Sequence, residues 1–282
     1  MTLAITGPTS GIGEETLKAL VKSFDEILIL ARNERKATEM IKSFPTSIQP
    51  KMRFVQIDLS DLKSVQRASE AILASTSQLD VLINNAGGIF QKKEITVDGL
   101  ELSFAANHLG HFLLTENLIP LLLKSKNPKV INLSSEAHRA AKIDFENLAQ
   151  CQNGYSSFTA YANAKLCNIL FAKSLVDKYG DKGLHAYALH PGVVKTRFGN
   201  EAGGIFKFMW KLAEPFMITA AKGAATSIYL ASQDISPKFN GYYFKNSKPN
   251  TPTSTARSKE VRDKLWDLSE QLIQKLLNSP AK

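Results

Sequence analysis

"LAITGPTSGIGEETLKAL", residues 3–20, sets the fold. Leu3–Thr6 reads as a strand, the glycine-rich segment as a turn, and the residues from about Gly11 to Ser23 as a helix. Glycines in such a turn let backbone approach a ligand closely, and the helix N-terminus offers free N–H groups and a positive dipole end to a pyrophosphate. Gly7, Thr9, Ser10, Gly11, Ile12 and Gly13 are therefore the candidate phosphate-binding residues. The spacing is G-x-x-x-G-x-G, not the commoner dinucleotide pattern G-x-G-x-x-G. Pro8 removes one donor from the loop. The same turn could also join a strand to a helix with no ligand at all.

Working outward, short apolar runs alternate with longer stretches of helical period. Strands are expected at Ile27–Leu30, Arg53–Ile57, Val81–Asn84, Lys129–Ser134, Leu184–His190 and Gly241–Phe244. Between them, helices are expected near Asn33–Ser43, from a Ser60 cap to Ser75, over Gly99–Lys124 as one long helix, over Phe158–Tyr179 and over Ala220–Ser232. Ile27–Leu30 is wholly apolar, as suits a strand buried on both faces. The alternation predicts an α/β fold: a single Rossmann-type, doubly wound domain with a mostly parallel, seven-stranded sheet and helices on both faces. The catalytic domain is placed at residues 1–245. Residues 246–282 are read as a Pro/Ser/Thr-rich linker followed by a helix that packs back on the same domain.

The end of the second strand selects between nicotinamide cofactors. An acid there takes ribose hydroxyls, whereas a guanidinium holds a 2′-phosphate. This chain has Ala31 and Arg32 there and no acid, so NADP(H) is expected over NAD(H), with Arg35 and Lys36 as possible helpers.

Composition narrows the class. Of 282 residues, 44% are hydrophobic and 22% charged, as in an ordinary soluble globular protein. The net charge of +9 is spread along the chain without a block of like charge or a nucleic-acid module, so no nucleic-acid partner is expected. Two cysteines, no CxxC and no Cys/His cluster imply neither a metal nor a disulfide framework. With no secretory signal visible, a reducing, cytoplasmic location is expected. His108 and His111 are read as structural.

In "AYANAKLCNIL", residues 160–170, Tyr161 and Lys165 stand four apart, one helical turn along one face. An ammonium near a phenol favours the phenolate, which would let the tyrosine exchange a proton with a carbonyl or alcohol oxygen near neutral pH. Alone, the pair is a common coincidence in a lysine-rich chain.

Other segments remove the ambiguity: "TGPTSGIG" at 6–13, "IDLSD" at 57–61, "NNAG" at 84–87, "NHLGHF" at 107–112, "NLSS" at 132–135 and "HPGVVKT" at 190–196. With Tyr161 and Lys165 in order among them, the chain resembles the short-chain dehydrogenase/reductase family over nearly its whole length. The resemblance implies that Tyr161 is the acid/base residue. It implies that Lys165 holds the nicotinamide ribose and lowers the tyrosine pKa, and that Asn107 holds a water linking Lys165 to solvent. A serine at the end of the fifth strand would bond the substrate oxygen. Ser134 and Ser135 point to opposite faces, and family register favours Ser135. For the cofactor it implies Asp58 and Leu59 at the adenine, Asn85, Ala86 and Gly87 along its ribose, and Pro191, Gly192, Val194 and Thr196 beside the nicotinamide.

Ser135 and Tyr161 stand about twice as far apart in sequence as the family pattern. This longer form looks most like the retinol dehydrogenase-like branch, which includes WW-domain oxidoreductase and protochlorophyllide reductase relatives. Many members of that branch carry an N-terminal membrane anchor, and none is visible here. The implied activity is NADP(H)-dependent reduction of a carbonyl, or oxidation of an alcohol, on an apolar substrate. A weakly catalytic NADP(H)-binding sensor or scaffold is the alternative. Residues 203–217, "GGIFKFMWKLAEPFM", are expected as a substrate lid with Phe206 and Trp210 against substrate. An amphipathic core helix or a peripheral membrane contact would use the same apolar side chains. A homodimer could form through the helices at 99–124 and 158–179, using Leu113, Leu114, Leu118, Leu121, Leu122, Leu166, Ile169, Leu170 and Phe171. The competing reading makes these residues ordinary core.

Overall fold

The computed structural model describes residues 1–194 and 218–278. Thr196 and the expected lid, with Phe206 and Trp210, lie outside the described residues. The strands are β1 (Thr2–Thr6), β2 (Glu26–Ala31), β3 (Met52–Gln56), β4 (Val81–Asn84), β5 (Lys129–Leu133), β6 (His185–His190), β7 (Tyr243–Lys245) and β8 (Lys248–Asn250). They form one sheet in the order β3-β2-β1-β4-β5-β6-β7-β8, parallel except for the final β7–β8 pair. The principal helices are α1 (Gly11–Leu20), α2 (Glu34–Lys42), α3 (Leu62–Ser75), α4 (Gly110–Leu122), α5 (Ser157–Tyr179), α6 (Ala220–Ser232) and α7 (Lys259–Leu277).

Strand alternation divides the core between the two faces. Leu28, Leu30, Leu82 and Val130 pack with residues of α3, α4, α5 and α7. Ile27, Ile29, Ile83 and Ile131 pack with α1, α2 and α6. Because the sheet is covered on both sides, its strands are apolar throughout. The expected doubly wound architecture is the one observed.

Three local readings change. Ser60 does not cap α3. Asp61 does, its carboxylate accepting from Lys63 N and Ser64 N at 2.9 and 3.1 Å, while Ser60 Oγ donates to Asp58 at 2.6 Å. An ionised carboxylate complements a helix N-terminus better than a hydroxyl does. The expected single helix at 99–124 begins at Leu102 and contains a π-helical turn, Ala105–Leu109, before α4. Residues 246–259, expected as a linker, supply the eighth strand. Asn246 and Ser247 both take positive φ, 53° and 57°, as a tight two-residue hairpin requires, and β8 returns antiparallel to β7.

The apolar residues proposed for a pairing face are all buried within the chain. Trp266 of α7 packs in the same core cluster, with its ring 6.1 Å from Phe171 and 4.7 Å from the neighbouring Phe112. Among the described residues, no helix is long and apolar enough to cross a membrane.

Candidate active site

Parallel strands bring the C-terminal ends of β1, β4, β5 and β6 to one edge, and strand order reverses between β1 and β4, where open α/β sheets form a ligand crevice. The glycine turn leaves β1 at this edge. Gly13 is dictated by close approach, since a Cβ there would run into Asn85 Nδ2 and Gly7 O. Asn85 Nδ2 donates to Thr6 O and Gly7 O at 2.8 and 3.2 Å, tying the end of β4 to the turn.

The N-terminus of α1 fits an anion. Its cap residue, Ser10, makes no side-chain capping bond. The other described helices of this size that start from loops are capped by Asn33, Asp61, Ser156, Thr219 and Ser258. The first-turn N–H groups of α1 thus have no side-chain cap, and such groups suit a pyrophosphate. Glu14 does not crowd them, because it pairs with Lys18 at 2.7 Å, one turn further on. Arg32 follows β2, is largely exposed, and stands 3.8 Å from Asp58. Leu59 is buried below it in the chain, and Ala86 packs against the core.

The residues after β5 divide their tasks. Ser134 Oγ donates to Lys165 O at 2.6 Å and is buried. Ser135 Oγ accepts from Ala137 N at 3.2 Å and acts on the Tyr161 phenol, favouring its ionised form. Strand alternation thus turns Ser134 toward the helix backbone and Ser135 toward the phenol. Lys165 Nζ donates to Leu133 O at 3.0 Å and lies 5.5 Å from the centre of the Tyr161 ring. Asn107 meets Lys165 at Gly87, whose φ is +148°, because a Cβ at Gly87 would touch Asn107 Oδ1 and approach Lys165 Nζ.

The electrostatics depart from the expected pairing. Burial pushes the Tyr161 phenol up to about 12, opposed by its bond to Ser135. Burial also pulls the Lys165 ammonium down to about 8. Desolvation sets the direction at both groups, since burial disfavours the charged form of each.

Asn107 is held from both sides. Its Oδ1 accepts from Gly88 N, and its Nδ2 donates to Gly88 O and Ser103 O, at 2.9–3.0 Å. Both side-chain N–H donors are spent and Oδ1 accepts once, so a water on Asn107 would have to donate to Oδ1 or to its backbone carbonyl. That carbonyl already meets His111 Nδ1 at 3.2 Å, and His111 Nε2 meets Thr6 Oγ1 at 2.9 Å. A carbonyl only accepts, so Nδ1 carries the ring proton and Nε2 accepts. Thr6 Oγ1 in turn accepts from Asn85 N and Ala86 N, both at 2.9 Å. His108 bonds Ser269. Burial lowers both histidines to about 3, leaving them neutral. Thr6 was not singled out in the sequence, although its place directly before the glycine turn was the available signal.

Beyond β6, Pro191 and Gly192 turn the chain, and Val194 bridges to Ile218 in parallel. The glycine turn and uncapped α1 N-terminus stand at the strand-order reversal, with Ser135, Tyr161 and Lys165 at the same sheet edge, an arrangement that suits a dinucleotide-dependent oxidoreductase. The chain belongs to the short-chain dehydrogenase family, whose description matches residues 1–203. It is 38% identical over 275 residues to retinol dehydrogenase 12 of Mus musculus, covering 96% of this chain and 85% of that one. It is 37% identical over 284 residues to the WW domain-containing oxidoreductase of Drosophila melanogaster, covering 98% and 69%. Among solved structures, an uncharacterised protein from Mycobacterium paratuberculosis superposes with a TM-score of 0.79 at 31% identity, covering 97% of this chain and 93% of that one. An NADPH-bound carbonyl reductase from chicken fatty liver gives 0.65 at 22% identity, covering 87% and 96%, and shares the fold.

Proposed function

We propose that this chain is an NADP(H)-dependent carbonyl reductase or alcohol dehydrogenase acting on an apolar substrate. The observation that carries this reading is the Ser135–Tyr161–Lys165 cluster, with Lys165 Nζ over the Tyr161 ring and tied to Leu133 O, at the sheet edge that also bears the glycine turn. A nicotinamide dinucleotide supplies hydride transfer when bound in the crevice. The first turn of α1 would hold its pyrophosphate, and Arg32 would meet a 2′-phosphate by a charge-assisted contact. Asp58, Leu59, Asn85, Ala86 and Gly87 would line its adenosine half, and Pro191, Gly192 and Val194 would face the nicotinamide.

For reduction, the substrate oxygen sits between the hydroxyls of Ser135 and Tyr161. Both donate to it as negative charge develops, which lowers the barrier more than contact in water would. Tyr161, held protonated by burial, then passes its proton to that oxygen. Lys165 binds ribose hydroxyls and keeps a positive charge beside the phenol, favouring the phenolate left behind. Oxidation runs the same proton path backwards. The names of the retinol dehydrogenase relatives make retinal the first carbonyl to test.

Tyr161→Phe tests the reading, because the ring packing survives and only the proton path goes. Turnover of NADPH against a panel of aldehydes, ketones, quinones and retinoids should vanish while NADPH still binds by fluorescence titration. Turnover that persists in a variant still able to bind NADPH would remove Tyr161 from the mechanism.

A further inference from the structure

Ser135 begins a tight 3-10 turn, Glu136–Ala140, and this turn is anchored more heavily than a surface turn needs to be. Glu136 carries most of the anchoring. Its Oε1 accepts from the Tyr243 hydroxyl at 2.9 Å, and its Oε2 accepts from Arg139 Nε at 3.1 Å and from Lys245 Nζ at 3.2 Å. Its own N–H donates to His190 Nδ1 at 3.2 Å, at the end of β6. Three donors hold the carboxylate ionised, down to about 2 against the cost of its burial. His138 closes the turn from the other side. Thr253 N–H donates to its Nε2, so Nδ1 carries the proton and donates to Ser135 O at 2.7 Å.

These contacts attach the turn to β6, β7 and the segment after β8. The turn in turn sets Ser135, whose Oγ is fixed by the Ala137 N–H within it, and whose hydroxyl acts on the Tyr161 phenol. Tyr243 is fully buried and within electrostatic reach of Tyr161. A side chain that merely solubilised the turn would need no buried phenol as a partner.

We infer that Glu136 is a positioning residue, holding Ser135 in hydrogen-bonding register with Tyr161 by clamping the 3-10 turn to β6 and β7. This rests on the roles proposed above for Ser135 and Tyr161. Its side-chain partners are Tyr243, Arg139 and Lys245, so Glu136 acts on Ser135 through the backbone of the turn. A glutamine there has the same shape but faces Lys245 and Arg139 without charge, so the clamp loosens while the core stays packed.

The test is a double-mutant cycle of Glu136→Gln and Ser135→Ala in the full chain, read on two signals. The first is the Tyr161 ring-carbon resonance in protein made with isotope-labelled tyrosine, assigned by its absence in Tyr161→Phe. The second is kcat and KM for NADPH-driven reduction of all-trans-retinal. Each single variant should shift the Tyr161 resonance in the same direction, and the double variant should shift it no further than Ser135→Ala alone. In Glu136→Gln, kcat should fall about tenfold, as misorientation does, with KM and NADPH affinity held. Once residue 135 is alanine, Glu136→Gln should cost less than about twofold. An unmoved Tyr161 resonance, or effects that add, would overturn the inference. If retinal is not reduced at all while the resonance cycle is non-additive, the substrate reading fails and the positioning role stands. Should Glu136→Gln fail to fold, Tyr243→Phe carries the same cycle, removing one donor and keeping the buried ring.

Discussion

Glu116→Gln should make the protein more stable, and increasingly so as pH rises. Glu116 lies on α4. Its Oε2 accepts from the Tyr179 hydroxyl at 3.0 Å, while its Oε1 is buried without a hydrogen-bond partner. Burial pushes its carboxyl from the ordinary 4.5 up to about 7, with Glu270 of α7 adding like-charge repulsion and Lys178 opposing it. A carboxyl raised in the fold contributes stability that is complete below its unfolded pKa and is lost as pH rises through its folded one. At about 1.4 kcal/mol per unit, the full loss is about 3.5 kcal/mol above neutrality. Solvent reaches part of the side chain, so about 2 kcal/mol is expected. Glutamine matches the protonated carboxyl in shape and cannot ionise. Urea unfolding of both proteins at about pH 5 and about pH 8 isolates the effect, because every other titrating group cancels in the difference. Because pH 5 already lies above the unfolded pKa, the advantage of Glu116→Gln should widen by about 1.5 kcal/mol between the two conditions. An advantage that stays constant across them would refute the reasoning, since the penalty would then not come from ionising Glu116.

Two further outcomes concern the cofactor and the proton. Arg32→Ala should weaken NADPH tenfold or more and NADH far less, since a charge-assisted contact contributes about 1.5–3 kcal/mol; equal losses in fluorescence titrations of the two cofactors would show that Arg32 does not read the phosphate. The rate of NADPH-driven reduction should decline as pH rises through about 8, where the lowered Lys165 ammonium loses its proton while Tyr161, at about 12, does not titrate; a pH–rate profile flat well beyond that value would separate Lys165 from the reaction.

Much of this molecule is legible in the chain because it is local. A strand shows as an apolar run, a helix as a period, and a phosphate-binding turn as glycines between the two. The alternation of these elements dictated a doubly wound sheet, and the four-residue spacing placed Tyr161 and Lys165 on one helical face. Even so, local competition misled at the cap of α3, where Asp61 displaces Ser60 by virtue of its charge.

Tertiary structure decided what depends on partners far along the chain. Glu136 and Tyr243 are separated by 107 residues and meet only because parallel strands deliver their ends to one edge. Nothing in either segment announces the other. The division of labour between Ser134 and Ser135, the π turn that carries Asn107, and the packing of Phe112 and Phe171 with Trp266 are of the same kind. So is the balance at Tyr161 and Lys165. Spacing brings the ammonium and phenol together, but how far each is withdrawn from water is fixed by the whole fold, and that withdrawal is what sets their protonation.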